Sequence, residues 1–225
     1  MNDKIRHLAD QIFADGVYRD GNSGNKGWTY QPMPFDDYMD IKSHKPQAVA
    51  VDHMVMLKKL SEENFDPKSV IDLGANIGFH GFHMNRRYGC EYTGVEAEPK
   101  TCALAQELAR EKGLGSIEFI CKPAQEYLDG NDSRYDLCIF TNAHMWVWKQ
   151  GEEHARTVME WVKDHCKYMF FQTAHKESAA MYVVKELKND EDIQKYLGEF
   201  GFNVTKINTT MEHGNRPRHM YWCVA

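Results

Sequence analysis

The residues best suited to bind a nucleotide lie between Val70 and Glu96. Residues 70–73 are predicted to form a short buried strand, which runs into a glycine-rich turn, Gly74-Ala75-Asn76-Ile77-Gly78, and then a helix. Glycine lets the backbone turn sharply, and Asn tolerates left-handed backbone better than other non-glycine residues. Glu96 ends the next predicted strand, 18 residues after Gly78. Because an acidic residue near this offset typically accepts hydrogen bonds from ribose hydroxyls, the spacing predicts a nucleoside site.

Two nucleotide classes use this arrangement, and the glycine positions separate them. The dinucleotide pattern G-x-G-x-x-G fails at two of its three positions, where the chain has Asn76 and Phe79. The pattern acidic-x-G-x-(G/N)-x-G is met by Asp72, Gly74, Asn76 and Gly78. In these residues the chain resembles the class I S-adenosylmethionine-dependent methyltransferases, from about residue 70 to the C-terminus. The alternatives are an NAD-dependent enzyme and a glycine turn without a ligand.

The resemblance implies S-adenosyl-L-methionine as cofactor and gives roles to particular residues. The loop under the methionine moiety would be formed by Gly74, Ala75, Asn76 and Gly78. Asp72 would sit near the methionyl amine, and Glu96 would hold both ribose hydroxyls. Further cofactor contacts are expected after strands two, three and four, at Ala97, Pro123, Ala124, Thr141 and Asn142.

Methyl transfer from a sulfonium is an in-line displacement, so the enzyme mainly aligns the acceptor, and a base helps when the acceptor is a hydroxyl. We predict His144, just past strand four, as that base, and His175 in the matching place after strand five. For each, the alternative is a loop histidine bonded to backbone. DNA and amino-group methyltransferases carry Asp/Asn-Pro-Pro-aromatic where this chain has Thr141-Asn142-Ala143-His144. That difference disfavours a nucleobase amine as acceptor.

A metal is not expected at this site. No aspartate pair follows the carboxyl ends of the predicted strands, where the acceptor is expected, and this disfavours a magnesium-dependent mechanism. His80 and His83 stand three residues apart on the first helix after the turn, a spacing that can present two imidazoles to a metal. Since no third ligand is evident, we interpret both as packed or exposed.

Two further pairs are predicted to contact the acceptor. Arg216 and Arg218, before the last strand, could hold a carboxylate or phosphate, or could form a solvated hairpin tip. Trp28 and Tyr30 follow a glycine-rich run that is typical of a mobile lid, although an aromatic patch packed on the core is the alternative. The segment Trp28-Thr29-Tyr30-Gln31 is similar to segments of wobble-uridine tRNA-modifying enzymes and of saccharide hydroxyl methyltransferases.

The elements that must position these residues alternate between strand and helix. We predict strands at 70–73, 92–96, 117–121, 135–140, 168–173, 203–208 and 220–224. We predict helices at 5–13, 50–60, 79–88, 100–112, 124–128, 152–166, 177–187 and 190–200. Such alternation implies an α/β fold with a doubly wound, seven-stranded, mostly parallel sheet of the Rossmann-like methyltransferase type, its last strand antiparallel. Residues 1–66 would form an N-terminal helical lid, and residues 67–225 the S-adenosylmethionine-binding methyltransferase domain.

The composition and net charge of the chain disfavour some classes of function. The chain has 225 residues, 42% of them hydrophobic, with a net charge of −6. This charge disfavours generic nucleic-acid binding, although a local basic patch could still bind RNA. No run of 18 apolar residues or secretory signal is present, and the six cysteines are dispersed, so we expect a reduced, cytoplasmic protein, no membrane partner and no isolated disulfide. We predict methyl transfer from S-adenosylmethionine to an oxygen of a small molecule or saccharide. The alternatives are a tRNA-modifying methyltransferase and a non-catalytic S-adenosylmethionine-binding module.

Overall fold

A mixed α/β chain is described by the computed structural model over residues 2–15, 29–43, 45–174, 184–212 and 216–225. The helices are α1 (Asp3–Asp15), α2 (Pro46–Glu62), α3 (Phe79–Tyr88), α4 (Pro99–Glu111), α5 (Ala124–Leu128), α6 (His144–Gln150), α7 (Glu152–His165) and α8 (Asp190–Glu199). The strands are β1 (Ser69–Leu73), β2 (Glu91–Val95), β3 (Ile117–Ile120), β4 (Tyr135–Thr141), β5 (Cys166–Gln172), β6 (Asn203–Glu212) and β7 (Arg216–Val224). All seven predicted strands are therefore present.

The seven strands form one sheet in the order β3-β2-β1-β4-β5-β7-β6. Neighbours from β3 to β5 pair in parallel, whereas β7 pairs antiparallel with both β5 and β6. A parallel pair needs a crossover long enough for a helix, and the connection from β6 to β7 spans only residues 213–215. The predicted fold class, including its antiparallel last strand, is confirmed.

Alternate residues of the sheet enter two separate hydrophobic cores. On β5, Phe170 belongs to the core shared with α1 to α4, and Phe171 belongs to the core shared with α7 and α8. This period of two follows from the pleat of a strand. With both faces covered, the strands bury nearly all their apolar side chains, and polar groups collect at the strand ends.

The N-terminal segment shares the first of these cores. Ile5 and Ile12 of α1 and Met56 of α2 are fully buried in it. The start of α1 is held to α4 through Glu107, which accepts hydrogen bonds from Asn2 Nδ2 (3.2 Å) and Lys4 Nζ (2.8 Å). α2 contacts β6, and its His53 contacts His80 of α3. The described parts of the first 66 residues, 2–15, 29–43 and 45–66, thus pack with the sheet and its helices, and the role of this segment as a lid stays a prediction.

Three features differ from the expectations of the sequence. α6 occupies residues after strand four where the sequence predicted no helix, although no glycine or proline interrupts the chain between Ala143 and Gly151. The helix predicted over 177–187 is wrong at its end, where residues 185 and 186 form a turn; residues 175–183 lie outside the description. Cys102 of α4 and Cys121 after β3 form a disulfide, contrary to the expectation of none. Within the described ranges no helix has the length and apolar character needed to cross a bilayer.

Candidate functional site

The glycine turn lies where β1 passes into α3. Gly74, Asn76 and Gly78 all have left-handed backbone, with φ of 80°, 54° and 82°. The N–H groups of Gly74 and Ala75 both donate to the carbonyl of Val95, at 2.8 and 3.0 Å, so the turn is fastened to the end of β2. A Cβ on Gly74 would lie 2.3 Å from the Cβ of Ala143. The turn therefore brings the ends of β1, β2 and β4 together and requires glycine at its first position.

Glu96 stands directly after β2, beside this turn. One carboxylate oxygen, Oε2, accepts from the backbone N–H of Asn76, and Oε1 accepts from that of Glu98, both at 2.8 Å. Burial raises the pKa of Glu96, and these two backbone donors act in the opposite direction. Since each carboxylate oxygen can accept more than one hydrogen bond, the group is fixed in place while retaining capacity for the two ribose hydroxyls.

Asp72 lies one strand away, near the carboxyl end of β1. It is 2% exposed, and its Oδ2 accepts a hydrogen bond of 2.9 Å from the hydroxyl of Tyr92. Burial raises the pKa of Asp72 to about 7; the hydrogen bond from Tyr92 opposes this rise and the charge of Glu96 adds to it. The sequence predicted Asp72, but Tyr92 reads as an ordinary core residue of β2 and was missed.

Three residues predicted as further cofactor contacts lie in the segments after β2 and β3. Ala97 is exposed, and Pro123 and Ala124 are half-buried at the start of α5. The disulfide from Cys121 to Cys102 ties the end of β3 to the first turn of α4. It therefore fixes the chain two residues before Pro123.

The carboxyl ends of β4 and β5 carry a connected polar network. Arg218 of β7 donates from Nη1 to Asn142 Oδ1 (2.9 Å) and from Nη2 to Asp52 Oδ2 of α2 (3.0 Å). Asn142, which has a φ of 59°, donates in turn to Gln172 Oε1 at 2.8 Å. The Nε2 group of Gln172 is fully buried and has no hydrogen-bond partner among the described residues. Arg218 was predicted at the acceptor, but here it forms a buried ion pair with Asp52, a residue that the sequence did not single out. Thr141, just before Asn142, is half-buried.

His144 begins α6 and points into the second core. Its ring is fully buried, with Nδ1 3.2 Å from Thr173 Oγ1 and Nε2 3.1 Å from the hydroxyl of Tyr196. Burial lowers the pKa of His144 to about 3, so the ring is neutral at pH 7. Its role as a base stays a prediction, and that role would require the ring to leave these two partners.

The other predicted acceptor residues are only partly within the description. Trp28 and His175 lie outside the described residues, and the side chain of Arg216 does as well. Tyr30 is half-buried, and its carbonyl accepts from the N–H of Lys45 at 3.0 Å. Its neighbour Gln31, which the sequence did not single out as a site residue, is buried and accepts through Oε1 from the N–H of Phe79 at 3.0 Å. Gln31 thus satisfies a free donor at the start of α3 and holds the N-terminal segment against the glycine turn.

The histidines of α3 pack against α2. His80 is 4% exposed, and its Nδ1 lies 3.3 Å from Nδ1 of His53, so one ring donates to the other. The ring of His83 lies 5.3 Å from that of His53. Burial lowers the pKa of His53 to about 2 and that of His80 to about 3. Two neutral rings can share one proton, which fits packing of α3 on α2.

The residues present fit an adenosyl cofactor. The turn leaves no room for a side chain at Gly74, a carboxylate is fixed beside it at Glu96, and a second carboxylate lies one strand away at Asp72. In an open α/β sheet, ligands bind beyond the carboxyl ends of the strands, next to the point where the strand order reverses. Here that point lies between β1 and β4, which are neighbours in the sheet but not in sequence.

Comparison with known proteins agrees with this geometry. A family model described as "Methyltransferase domain" matches residues 70–165. No curated protein sequence matches the chain. Together with the fold and the glycine turn, this match shows that residues 70–165 are similar to a methyltransferase domain.

Three solved structures illustrate the fold that this chain shares. The bifunctional kinase-methyltransferase WbdD has a TM-score of 0.72 at 16% identity, over 98% of this chain and 46% of WbdD. The chain therefore spans about half the length of that protein. The N-terminal domain of EvdMO1, crystallised in the presence of SAH and D-fucose, has a TM-score of 0.66 at 12% identity, over 100% of this chain and 98% of that domain. Magnesium protoporphyrin IX methyltransferase (ChlM) from Synechocystis PCC 6803, with bound SAM, has a TM-score of 0.62 at 19% identity, over 100% and 99% of the two chains.

Proposed function

We propose that this enzyme transfers the methyl group of S-adenosylmethionine to a hydroxyl oxygen of a small molecule or saccharide. The observation that carries the proposal is the polar network at the carboxyl ends of β4 and β5, where the described residues are amides and one ion-paired cation. Asn142 and Gln172 present amides there, and the positive charge of Arg218 is paired with Asp52. Amides can donate to and accept from hydroxyl groups, whereas a carboxylate or phosphate acceptor would need an available cation.

The cofactor, when bound, supplies a methyl group already activated by its sulfonium. The chain then has to bind the cofactor, align the acceptor with its methyl group and exclude water. In the proposal, Glu96 holds the ribose, the turn from Gly74 to Gly78 supports the methionine, and Asp72 holds its amine. The proposal assigns the buried Nε2 of Gln172, which has no hydrogen-bond partner among the described residues, as a donor to the acceptor oxygen.

Three further observations support a small, hydroxylated acceptor. The chain has Thr141-Asn142-Ala143-His144 where enzymes acting on amino groups of bases carry two prolines. EvdMO1, which shares the fold, was crystallised together with SAH and D-fucose. The acidic net charge of −6 also favours a small acceptor over a nucleic acid.

The test is release of S-adenosylhomocysteine from S-adenosylmethionine in the presence of candidate acceptors. Free pyranoses, simple glycosides and phenols form one panel, and unmodified tRNA forms the second. We expect acceptor-dependent release with a hydroxylated small molecule, and mass spectrometry should locate the new methyl group on oxygen. Turnover with tRNA alone would contradict the proposal, and so would tight cofactor binding with no release in either panel.

His144 can be tested separately. As a base, it should contribute a factor of about 10²–10⁴ in kcat, and His144→Ala should show that loss at every pH. His144→Gln keeps a hydrogen-bonding group near Thr173 and Tyr196, so comparison of the two variants separates packing from proton transfer. Turnover of His144→Gln at the wild-type rate would remove the ring from the chemistry.

A further inference from the structure

We propose that Tyr92 is a positioning residue that orients Asp72 toward the amine of the cofactor's methionine moiety. This inference rests on the proposed role of Asp72 in cofactor binding. It concerns a hydroxyl and a carboxylate on neighbouring strands, β2 and β1, and it gives a function to a side chain that otherwise belongs to the core.

The contact is short and enclosed. The Tyr92 hydroxyl donates to Asp72 Oδ2 at 2.9 Å, and both residues are 2% exposed. In the sheet register Asp72 stands opposite Gly94, so Tyr92, two residues earlier on β2, lies on the same face as its diagonal neighbour. Because Gly94 has no side chain, nothing on that strand stands between the tyrosine and the carboxylate.

The tyrosine ring itself is held from the other side by α3. A Cβ on Gly81 would lie 2.1 Å from Cζ of Tyr92, so the helix backbone closes directly over the ring. The ring of Phe119 packs against it, 5.7 Å between centroids. Packing between α3 and the sheet fixes the position of the Tyr92 ring and therefore of its hydroxyl. The hydrogen bond from this hydroxyl in turn fixes the carboxylate of Asp72.

This arrangement leaves the second carboxylate oxygen of Asp72, Oδ1, for a ligand. Tyr92 supplies the one side-chain hydrogen bond that Asp72 receives from the described residues, and it goes to Oδ2. Oδ1 is therefore left to accept from a ligand. A cationic amine is the matching group, because an ion pair compensates the cost of keeping a carboxylate at this depth.

The inference predicts a discrimination that a general structural role would not produce. S-adenosylhomocysteine has the amino-acid moiety, whereas 5′-methylthioadenosine keeps the adenosine and the sulfur but lacks the amine. Loss of the Tyr92 hydroxyl should weaken binding of the first compound and spare the second. Contacts to the ribose through Glu96 serve both compounds equally.

The experiment is calorimetric titration of the purified full chain with both compounds. We expect Tyr92→Phe to bind S-adenosylhomocysteine about 5- to 20-fold more weakly than wild type and methylthioadenosine within twofold of it. The matched control is Tyr221→Phe, which removes a buried tyrosine hydroxyl that donates to Asp190 at 2.6 Å, on the opposite face of the sheet. That variant should bind both compounds as wild type does.

A double-mutant cycle separates an effect of Tyr92→Phe through Asp72 from a general loss of packing. Asp72→Asn should lose affinity for S-adenosylhomocysteine alone, and adding Tyr92→Phe to it should cost less than twofold more, since the tyrosine acts through the aspartate. Unchanged S-adenosylhomocysteine binding in Tyr92→Phe overturns the inference, as does equal loss of both compounds or additivity in the cycle. If wild type binds neither compound, it is the proposed function that fails.

Discussion

The pH dependence of cofactor binding gives the sharpest test of the site, because it depends on one buried carboxyl group. Burial raises the pKa of Asp72 to about 7, so the free protein holds this group largely protonated at pH 6 and largely ionised at pH 7.5. Only the ionised form can pair with the cofactor's ammonium. Affinity for S-adenosylhomocysteine should therefore rise with pH through this range and fall as the pH is lowered.

The magnitude follows from the fraction of ionised carboxylate. With a pKa of about 7, that fraction is about one in eleven at pH 6 and about three in four at pH 7.5. Affinity should thus change by about eightfold, or about 1.2 kcal/mol, between these two values. Two groups interact with Asp72, namely Tyr92 and Glu96. Tyr92 stays protonated over this pH range because burial raises its pKa well above the ordinary value of a tyrosine.

The assay is titration calorimetry at pH 6.0, 6.5, 7.0 and 7.5, repeated in buffers of different ionisation enthalpy to count released protons. Asp72→Asn should flatten the profile while leaving Glu96 in place. Methylthioadenosine should show the small dependence that Glu96 alone causes. A wild-type affinity that stays constant from pH 6 to 7.5, or an equal slope in Asp72→Asn, would refute the reasoning.

Three further results are expected. Glu96→Ala should weaken S-adenosylhomocysteine binding by about 1–3 kcal/mol, because two ribose hydroxyls lose a buried acceptor, and calorimetry at one pH suffices to detect it. Arg218→Met alone should lower the free energy of unfolding by about 3–5 kcal/mol, since it strands the buried carboxylate of Asp52; Asp52→Leu/Arg218→Met should recover most of this loss in urea titrations. Replacing Cys102 and Cys121 by serine should cost about 3 kcal/mol, as expected for a loop with a sequence separation of 19 residues, and a reductant should destabilise wild type but not that variant.

The cofactor half of the site could be predicted from sequence because its signals are local. The turn from Gly74 to Gly78 and the acid at Glu96 lie on consecutive strand–helix units, and a parallel sheet brings the ends of such strands together. The predicted pattern of seven strands held for the same reason, since each strand is a short apolar run bounded by turn residues. Residue types and spacing therefore determined the fold class and indicated a candidate nucleoside site at the ends of β1 and β2.

The acceptor half was decided by contacts between residues far apart in the chain. Arg218 meets Asp52 across a separation of 166 residues, and His144 meets Tyr196 across 52. Neither partner carries a local pattern, and the same arginine at a hairpin start or histidine after a strand could equally face solvent. Tertiary packing decides whether each side chain is buried or exposed. A buried charge or imidazole needs a hydrogen-bonding partner in the interior, because burial without one is costly. Sequence alone thus determined the fold class and the candidate cofactor residues, and only the tertiary structure decided which polar groups are paired with one another at the ends of β4 and β5.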